Sequence, residues 1–448
     1  MGDRISVIRD KLRAALWPLP TAMLPLAVAL FALARWIDAG HPDPDRLRRW
    51  LLHNGTGDDA RNLLSTLVSA IITMSTLVFS ITIVALSLAA TQFGSRLVRA
   101  YMTDLRSKLA LGLFAMTILY CLLALRVVGT EMPAEAVPHV TVSTGLVLGT
   151  FCILALLFFL HVVARSIIAD EVIRRVAMEL EENIATLDDL HTSPQADLQA
   201  QQLVLPPVYE ERPDVVRAAT QGYIRAIDYD GLLRTAGDSG VWVRVEVHAG
   251  EFVARGDRLA TVHPAGTAPQ AALQRIETAV MLGRTRTPTQ DLAFSMRHLV
   301  DVSLRALSAA INDANTARVV VDHLRGALSR LMEKALPQRV YRDETGEMRV
   351  VGQFLTHEDM LHAALSQIRH SAAAQPSVVV SLVLALGHVL EHARLPRHRD
   401  LVFDHAERVA QAGLRLAEDS TDRLVIERAL TRVRLRLAEQ RALDQQQP

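Results

Sequence analysis

From Asn62 to Ser95 the chain runs for about 34 residues without a formal charge. As a helix rising 1.5 Å per residue this run extends about 50 Å, against a hydrocarbon core of about 30 Å, so it crosses a bilayer and continues beyond it. Inside the run, small and hydroxyl side chains recur every seven residues: Thr66, Thr73, Ser80, Ser87 and Gly94 occupy one heptad position, and Ser69, Thr76, Ile83 and Ala90 the position three residues further on. A helix facing only lipid has no need of such a seam. One face of this helix therefore meets protein or water.

Half of the residues are hydrophobic, yet formal net charge is zero and mean hydropathy only +0.20, because the apolar residues concentrate in the first third. Windows satisfying the span criterion are 19–37, 63–90, 109–128 and 140–163, which predicts four transmembrane helices. The first follows a basic lead (Arg4, Arg9, Lys11, Arg13), lacks a small-x-small cleavage site and ends on Arg35-Trp36, an interfacial anchor, so it reads as a span and not as a cleaved signal. Arg96, Arg99, Arg106 and Lys108 lie between spans two and three, whereas the link between spans three and four carries Glu131 and Glu135 and no base. The basic loop belongs on the cytoplasmic side, which puts both termini in the cytoplasm. The loop from Asp38 to Arg61 speaks least clearly, since its arginines are balanced by acids. Cys121 and Cys152 both fall inside spans, where they read as packing residues: two cysteines make neither a disulfide framework nor a thiolate metal site. The absence of a basic excess argues against nucleic acid as a partner.

Beyond span four, helical spacing of apolar residues persists to about Leu190 (Ile167, Ile168, Val172, Val176, Leu180, Ile184, Leu187), which reads as one helix leaving the bilayer. A polar, Pro-containing link from His191 to Pro207 marks a boundary. From Gly222 to about His263 the period changes to two, and Val247 to Val262 resembles the hairpin of biotinyl/lipoyl-like barrel-sandwich domains. Gly250 and Gly256 would supply positive-φ turns there, and Phe252, Val253, Leu259 and Val262 a small core. No lysine lies between Gly222 and Pro264, so the attachment chemistry of the carrier proteins is unavailable. Helices are expected near 270–282, 290–309, 313–335, 356–373, 376–394, 397–417 and 421–443, with a short hairpin about Asp343–Gly346. The expected fold class is a mainly α membrane protein in four parts: a four-helix transmembrane domain (1–165), a helical stalk and linker (166–207), a small β module (208–265) and a helical bundle (266–448).

One segment carries a resemblance. Gly283-Arg-Thr-Arg-Thr-Pro-Thr-Gln-Asp291, then Phe294, Leu299-Val-Asp301, Arg305-Ala-Leu-Ser308 and Ile311-Asn-Asp-Ala-Asn-Thr-Ala317, resemble the most distinctive stretch of a bacterial family of predicted membrane proteins that carries a domain-of-unknown-function label. Phe79 to Leu97 is similar to that family's second span. Ala309 and Ala314 stand where the family has prolines. The resemblance implies an integral protein of the bacterial inner membrane and names no reaction.

Read physically, Asp291, Asn312 and Asp313 sit where carboxylates and amides cap helix N-termini. The functional reading makes Arg284, Arg286, Gln290, Asp291, His298, Asp301, Asn312 and Asp313 converge on one polar site for an ion or small anionic ligand; capping is the commoner use of such residues. His388 and His392 stand at i, i+4 without a third ligand, so no metal site is assigned, and neither cofactor nor catalytic constellation emerges. Gly145-x-x-x-Gly149 in span four is a helix-packing motif. Two uses of the seam follow. In a homo-oligomer, Thr66, Ser69, Thr73, Thr76, Ser80 and Ser87 line a narrow path with Arg96 and Arg99 at its cytoplasmic mouth, gated by the cytoplasmic domain. Alternatively, the same residues pack helices in a non-transporting scaffold or sensor.

Overall fold

A computed structural model describes residues 17–40, 55–93, 105–166, 169–190, 205–288, 290–337 and 340–446. The seam's Gly94, the mouth residues Arg96 and Arg99, the basic N-terminal lead and most of the 191–207 link lie outside these residues. The chain forms two compact units, Met1–Glu171 and Val172–Pro448.

The first unit is built of helices α1 (Pro18–Gly40), α2 (Gly57–Phe93), α3 (Leu105–Val127) and α4 (His139–Ser166). Each is long and apolar enough to cross a membrane, close to the four windows read from the sequence. Span three is the centre: Phe114, Tyr120, Cys121 and Ala124 are fully buried against residues of the other spans, among them Ala27, Leu64, Ile71, Val142 and Cys152. Leu26, Leu77, Phe79, Ile83, Phe151, Leu154 and Phe158 point outward, as lipid-facing side chains do.

The ends of the spans are fastened by polar groups. Thr56 and Asp59 form a reciprocal cap at the start of α2, the Thr56 amide donating to Asp59 Oδ2 at 2.9 Å and the Asp59 amide to Thr56 Oγ1 at 3.4 Å. Asp38, at the end of span one, caps span four by accepting from the amides of Val140 (2.9 Å) and Thr141 (3.0 Å). Arg61 donates to the carbonyl of Val128 at 3.2 Å, just past the C-terminus of span three, where a cation suits the helix dipole. That contact explains why the Asp38–Arg61 loop is hard to read by charge: Arg61 serves a helix end. Gly145 and Gly149 meet Leu64 and Leu67 of span two, since a Cβ on them would lie 3.1 and 2.9 Å from those side chains.

Helix α5 (Ala169–Ala185) lies in the second unit from Val172 onward and buries Ile173, Val176, Leu180 and Ile184. Residues 167 and 168, between α4 and α5, lie outside the described set. The strands are β1 (Asp214–Arg217), β2 (Gly222–Ile227), β3 (Trp242–Val245), β4 (Phe252–Val253), β5 (Arg258–His263), β6 (Val280–Gly283), β7 (Val340–Arg342) and β8 (Met348–Val351). They make a five-stranded sheet, β1-β5-β3-β8-β7, and a three-stranded one, β4-β2-β6. All pairings are antiparallel except β3 with β8. Two helices accompany them, α6 (Tyr229–Ser239) and α7 (Gln270–Ala279). The helical remainder comprises α8 (Leu292–Ala306), α9 (Ala314–Met332), α10 (His357–Ala372), α11 (Pro376–His392), α12 (Pro396–Leu416) and α13 (Ser420–Gln446). α11 is apolar but only 17 residues long, and it buries Val379, Leu382, Leu386 and Val389 inside the bundle.

Four expectations change. β4 and β5 do not pair as a hairpin; they join different sheets, and Phe252 is 53% exposed while Val253, Leu259 and Val262 are buried. Helix α6 interrupts the region read as strands, because Asp228 caps its start and Gly240, at φ +62°, closes its end. The helix expected at 270–282 stops at Ala279, and Val280–Gly283 pairs with β2. The hairpin about Asp343 forms, but its strand β8 enters the larger sheet beside β3, so strands from outside 208–265 complete both sheets.

Candidate functional site

The inner face of span two is itself a heptad pattern. Leu64, Ile71, Val78 and Ala85 are buried, as are Val68 and Thr82, with half-buried Ser75 between them. The hydroxyl seam begins two residues later, about 200° round the helix. Thr66, Ser69, Thr73, Thr76, Ser80 and Ser87 are all exposed. The chain's own bundle thus leaves the seam uncovered from Thr66 to Ser87, about 32 Å of helix, nearly the thickness of a hydrocarbon core. Four of these hydroxyls donate to the carbonyl one turn back: Thr66 to Asn62 (2.8 Å), Ser69 to Ser65 (2.9 Å), Thr73 to Ser69 (2.9 Å) and Thr76 to Ile72 (3.0 Å). Their protons are satisfied inside the helix, so what these hydroxyls have left to offer is the accepting capacity of their oxygens.

The residues between 284 and 313 do not form one cluster. Asp291 and Asn312-Asp313 flank opposite ends of α8, whose 15 residues span about 22 Å. At the first end, Asp291 stands at the N-cap position but makes no capping bond. Its Oδ2 accepts from Arg286 Nε at 2.9 Å and from Nη2 of the same guanidinium; the Asp291 side chain is fully buried and that of Arg286 is 14% exposed. Gly250 closes over the pair. At φ +87° it has no space for a Cβ, which would stand 1.9 Å from Asp291 Oδ2. Gln290 clamps β2 through both ends of its amide: Oε1 accepts from Ile227 N at 2.9 Å, and Nε2 donates to Ile227 O at 3.2 Å. Arg284 is exposed, His298 packs on Phe294 with ring centroids 4.4 Å apart, and Asp301 lies further along α8.

At the other end, Asp313 is a cap, accepting from the amides of Asn315 and Thr316, both at 3.0 Å, and from Thr316 Oγ1. The Thr316 hydroxyl and amide hold its carboxyl below the usual range. Asn312 adopts φ +50°, and its Oδ1 accepts from Gln375 Nε2 at 2.7 Å. Around Ala309 and Ala314 this turn is fixed by hydrogen bonds, Asn312 N to Ser308 O (2.8 Å) and Asp313 N to Ala306 O (2.7 Å). The functional reading of a single convergent site is thereby replaced by a buried ion pair at one end of α8 and a cap at the other. His388 and His392 each contact a carboxylate, Glu391 at 3.4 Å and Glu333 at 2.9 Å, and no group of three metal-ligating side chains occurs among the described residues. Sequence reasoning grouped Arg286 with Asp291 but missed the role of Gly250, because the contact between residues 250 and 291 exists only in the folded chain.

The sequence profile of a family described as "Predicted membrane protein (DUF2254)" matches residues 13–388. Uncharacterized proteins of Mycobacterium bovis and of Mycobacterium tuberculosis are each 32% identical to this chain over 431 residues, covering 95% of it and 81% of theirs. No solved structure matches.

Proposed function

The chain belongs to the DUF2254 family of predicted membrane proteins, and from that premise we propose that it acts in the bacterial plasma membrane as a homo-oligomer whose second spans together line an ion path. Both termini lie in the cytoplasm, on the side of the basic 96–108 loop, and the part beyond span four gates the path. The observation that carries this reading is the uncovered seam: six hydroxyl side chains stay exposed across the thickness of a bilayer while the opposite face of the same helix is packed. Around a symmetry axis such a face supplies polar oxygens where lipid supplies none. The outward oxygens offer lone pairs along the path, and Arg96 and Arg99 bring positive charge to its cytoplasmic end. The sign of the permeant ion is read from a reversal potential.

The back-bonding of four of those hydroxyls favours a second reading, in which the seam is a close helix-packing face of a non-transporting scaffold or sensor. Reconstitution separates the two. Liposomes containing the purified protein conduct under the first reading, and Thr73→Leu or Thr76→Leu changes the flux while the oligomer remains assembled. Silent liposomes with an intact oligomer leave the scaffold.

A further inference from the structure

The chain that leaves α5 is tied to the end of α9 by three bonds. Leu190 N donates to Glu333 O at 3.0 Å, Ala335 N donates to Asp188 O at 2.9 Å, and Lys334 pairs with Asp189 at 2.8 Å. The turn that offers these partners is held by an imidazole. His357, the first residue of α10, directs its Nε2 at Leu331 O (3.3 Å) and Lys334 O (3.2 Å), one N–H shared between two carbonyls. His398, in the first turn of α12, packs on that ring with centroids 4.2 Å apart. Both residues are only 5% exposed, and His398 Nδ1 is buried without a partner.

Neutral rings suit this geometry, and charged ones do not. A proton on either ring would be taken out of water, would face the other ring, and would stand near the positive charge of Arg397. The other charges around the joint already have partners: Glu333 is bonded to His392 (2.9 Å) and Arg394 (3.4 Å), Lys334 to Asp189, Arg399 to Asp444, and Asp359 to the Thr356 amide (2.8 Å) in the capping box of α10. Among the described residues no carboxylate pairs with His357 or His398. Acid therefore works against the stack, and opening of the turn is the way both rings reach water.

We propose that the His357–His398 stack is an acid-released latch: while neutral it holds the turn at the end of α9 to which the chain after α5 is tied, and on acidification the turn opens, the rings take up protons and the tie is released. The latch acts whether or not the span-two seam conducts. Its sign and size follow from linkage. An open joint takes up the His398 proton near 6.5 and the closed joint only at about 3, where burial, His357 and Arg397 hold it, so between about pH 7.5 and pH 5 the open population grows about thirtyfold from this ring alone. His357, which burial also lowers, acts in the same direction.

The test is hydrogen exchange of the full chain in detergent, followed by mass spectrometry at about pH 7.5 and about pH 5 and corrected for the intrinsic exchange rate. The segments holding Leu190 and Ala335 are expected to lose protection by about thirtyfold or more, while the core of α11 around Leu382 and Leu386 keeps its own. His398→Phe, and independently His398→Leu, remove most of that loss, and each variant is first shown to retain its unfolding transition. Replacing the nearby imidazoles, by His191→Gln or His392→Gln, leaves the loss in place. Protection that does not change with pH overturns the proposal. So does a loss that survives in the folded His398 variants, that vanishes with His191→Gln or His392→Gln, or that the α11 core shares.

Discussion

Gly250 shows how much a single residue can decide. Its positive φ was legible from its place in a turn-rich strand region, but its second requirement was not: the missing side chain makes room for Asp291, 41 positions on, and for the guanidinium that neutralises it. Gly250→Ala therefore meets both backbone strain and a steric clash. We expect it to lower stability by about 2–4 kcal/mol, measured by denaturant unfolding. Arg286→Met is expected to cost about 3–5 kcal/mol in the same measurement, because it strands a carboxylate whose side chain is fully buried. Equal stability of that variant and the parent would show that Asp291 is not held as an ion. The cap expected of Asp291 failed for the same reason that the pair exists: a carboxylate bonded to Arg286 does not reach its own helix amides. Asp313, with no such partner, caps as its sequence position implies.

Among the elements, the joint at the end of α9 combines local and distant contacts. The chain after α5 attaches there, Leu190 N donating to Glu333 O at 3.0 Å and Ala335 N to Asp188 O at 2.9 Å, with Lys334 paired to Asp189 at 2.8 Å. The His357 ring supports the same turn: its Nε2 lies 3.3 Å from Leu331 O and 3.2 Å from Lys334 O, which requires the proton on that nitrogen. His398 packs on it with centroids 4.2 Å apart. Burial pushes the His398 imidazole down to about 3, with His357 and Arg397 adding to the effect, and burial lowers His357 too. The sign follows from linkage. Unfolded chains take up these protons near 6.5 and the folded chain only at lower pH, so the stability of neutral burial is complete above about 6.5 and is lost as pH falls towards 3. His398→Phe should flatten this acid limb in unfolding midpoints measured against pH. An unchanged slope would assign the acid sensitivity elsewhere, His405 being the next buried imidazole, held down at about 4.

For the whole molecule, the four apolar helices and the charge of their links set the topology to be tested. Both native cysteines are buried, so introduced thiols report alone. If both termini are cytoplasmic, as proposed, Glu131→Cys is labelled by a membrane-impermeant maleimide in intact cells, whereas Asp419→Cys is labelled only after permeabilisation; the reverse pattern inverts the protein. By itself the sequence determined the spans, because a run of some twenty apolar residues has one low-energy environment. It also determined the helices of the C-terminal bundle to within a few residues, because helical periodicity and caps are local. Only the tertiary structure decided that the span-two seam faces away from its own bundle, since periodicity shows that two faces differ and not which one a neighbour covers. It also decided that Val280–Gly283 is a strand and that Met348–Val351 enters the larger sheet beside β3, since an edge elsewhere in the chain supplies their hydrogen bonds, and that Gly250 closes over the Arg286–Asp291 pair. Each of these depends on partners far apart in sequence, which no local pattern records.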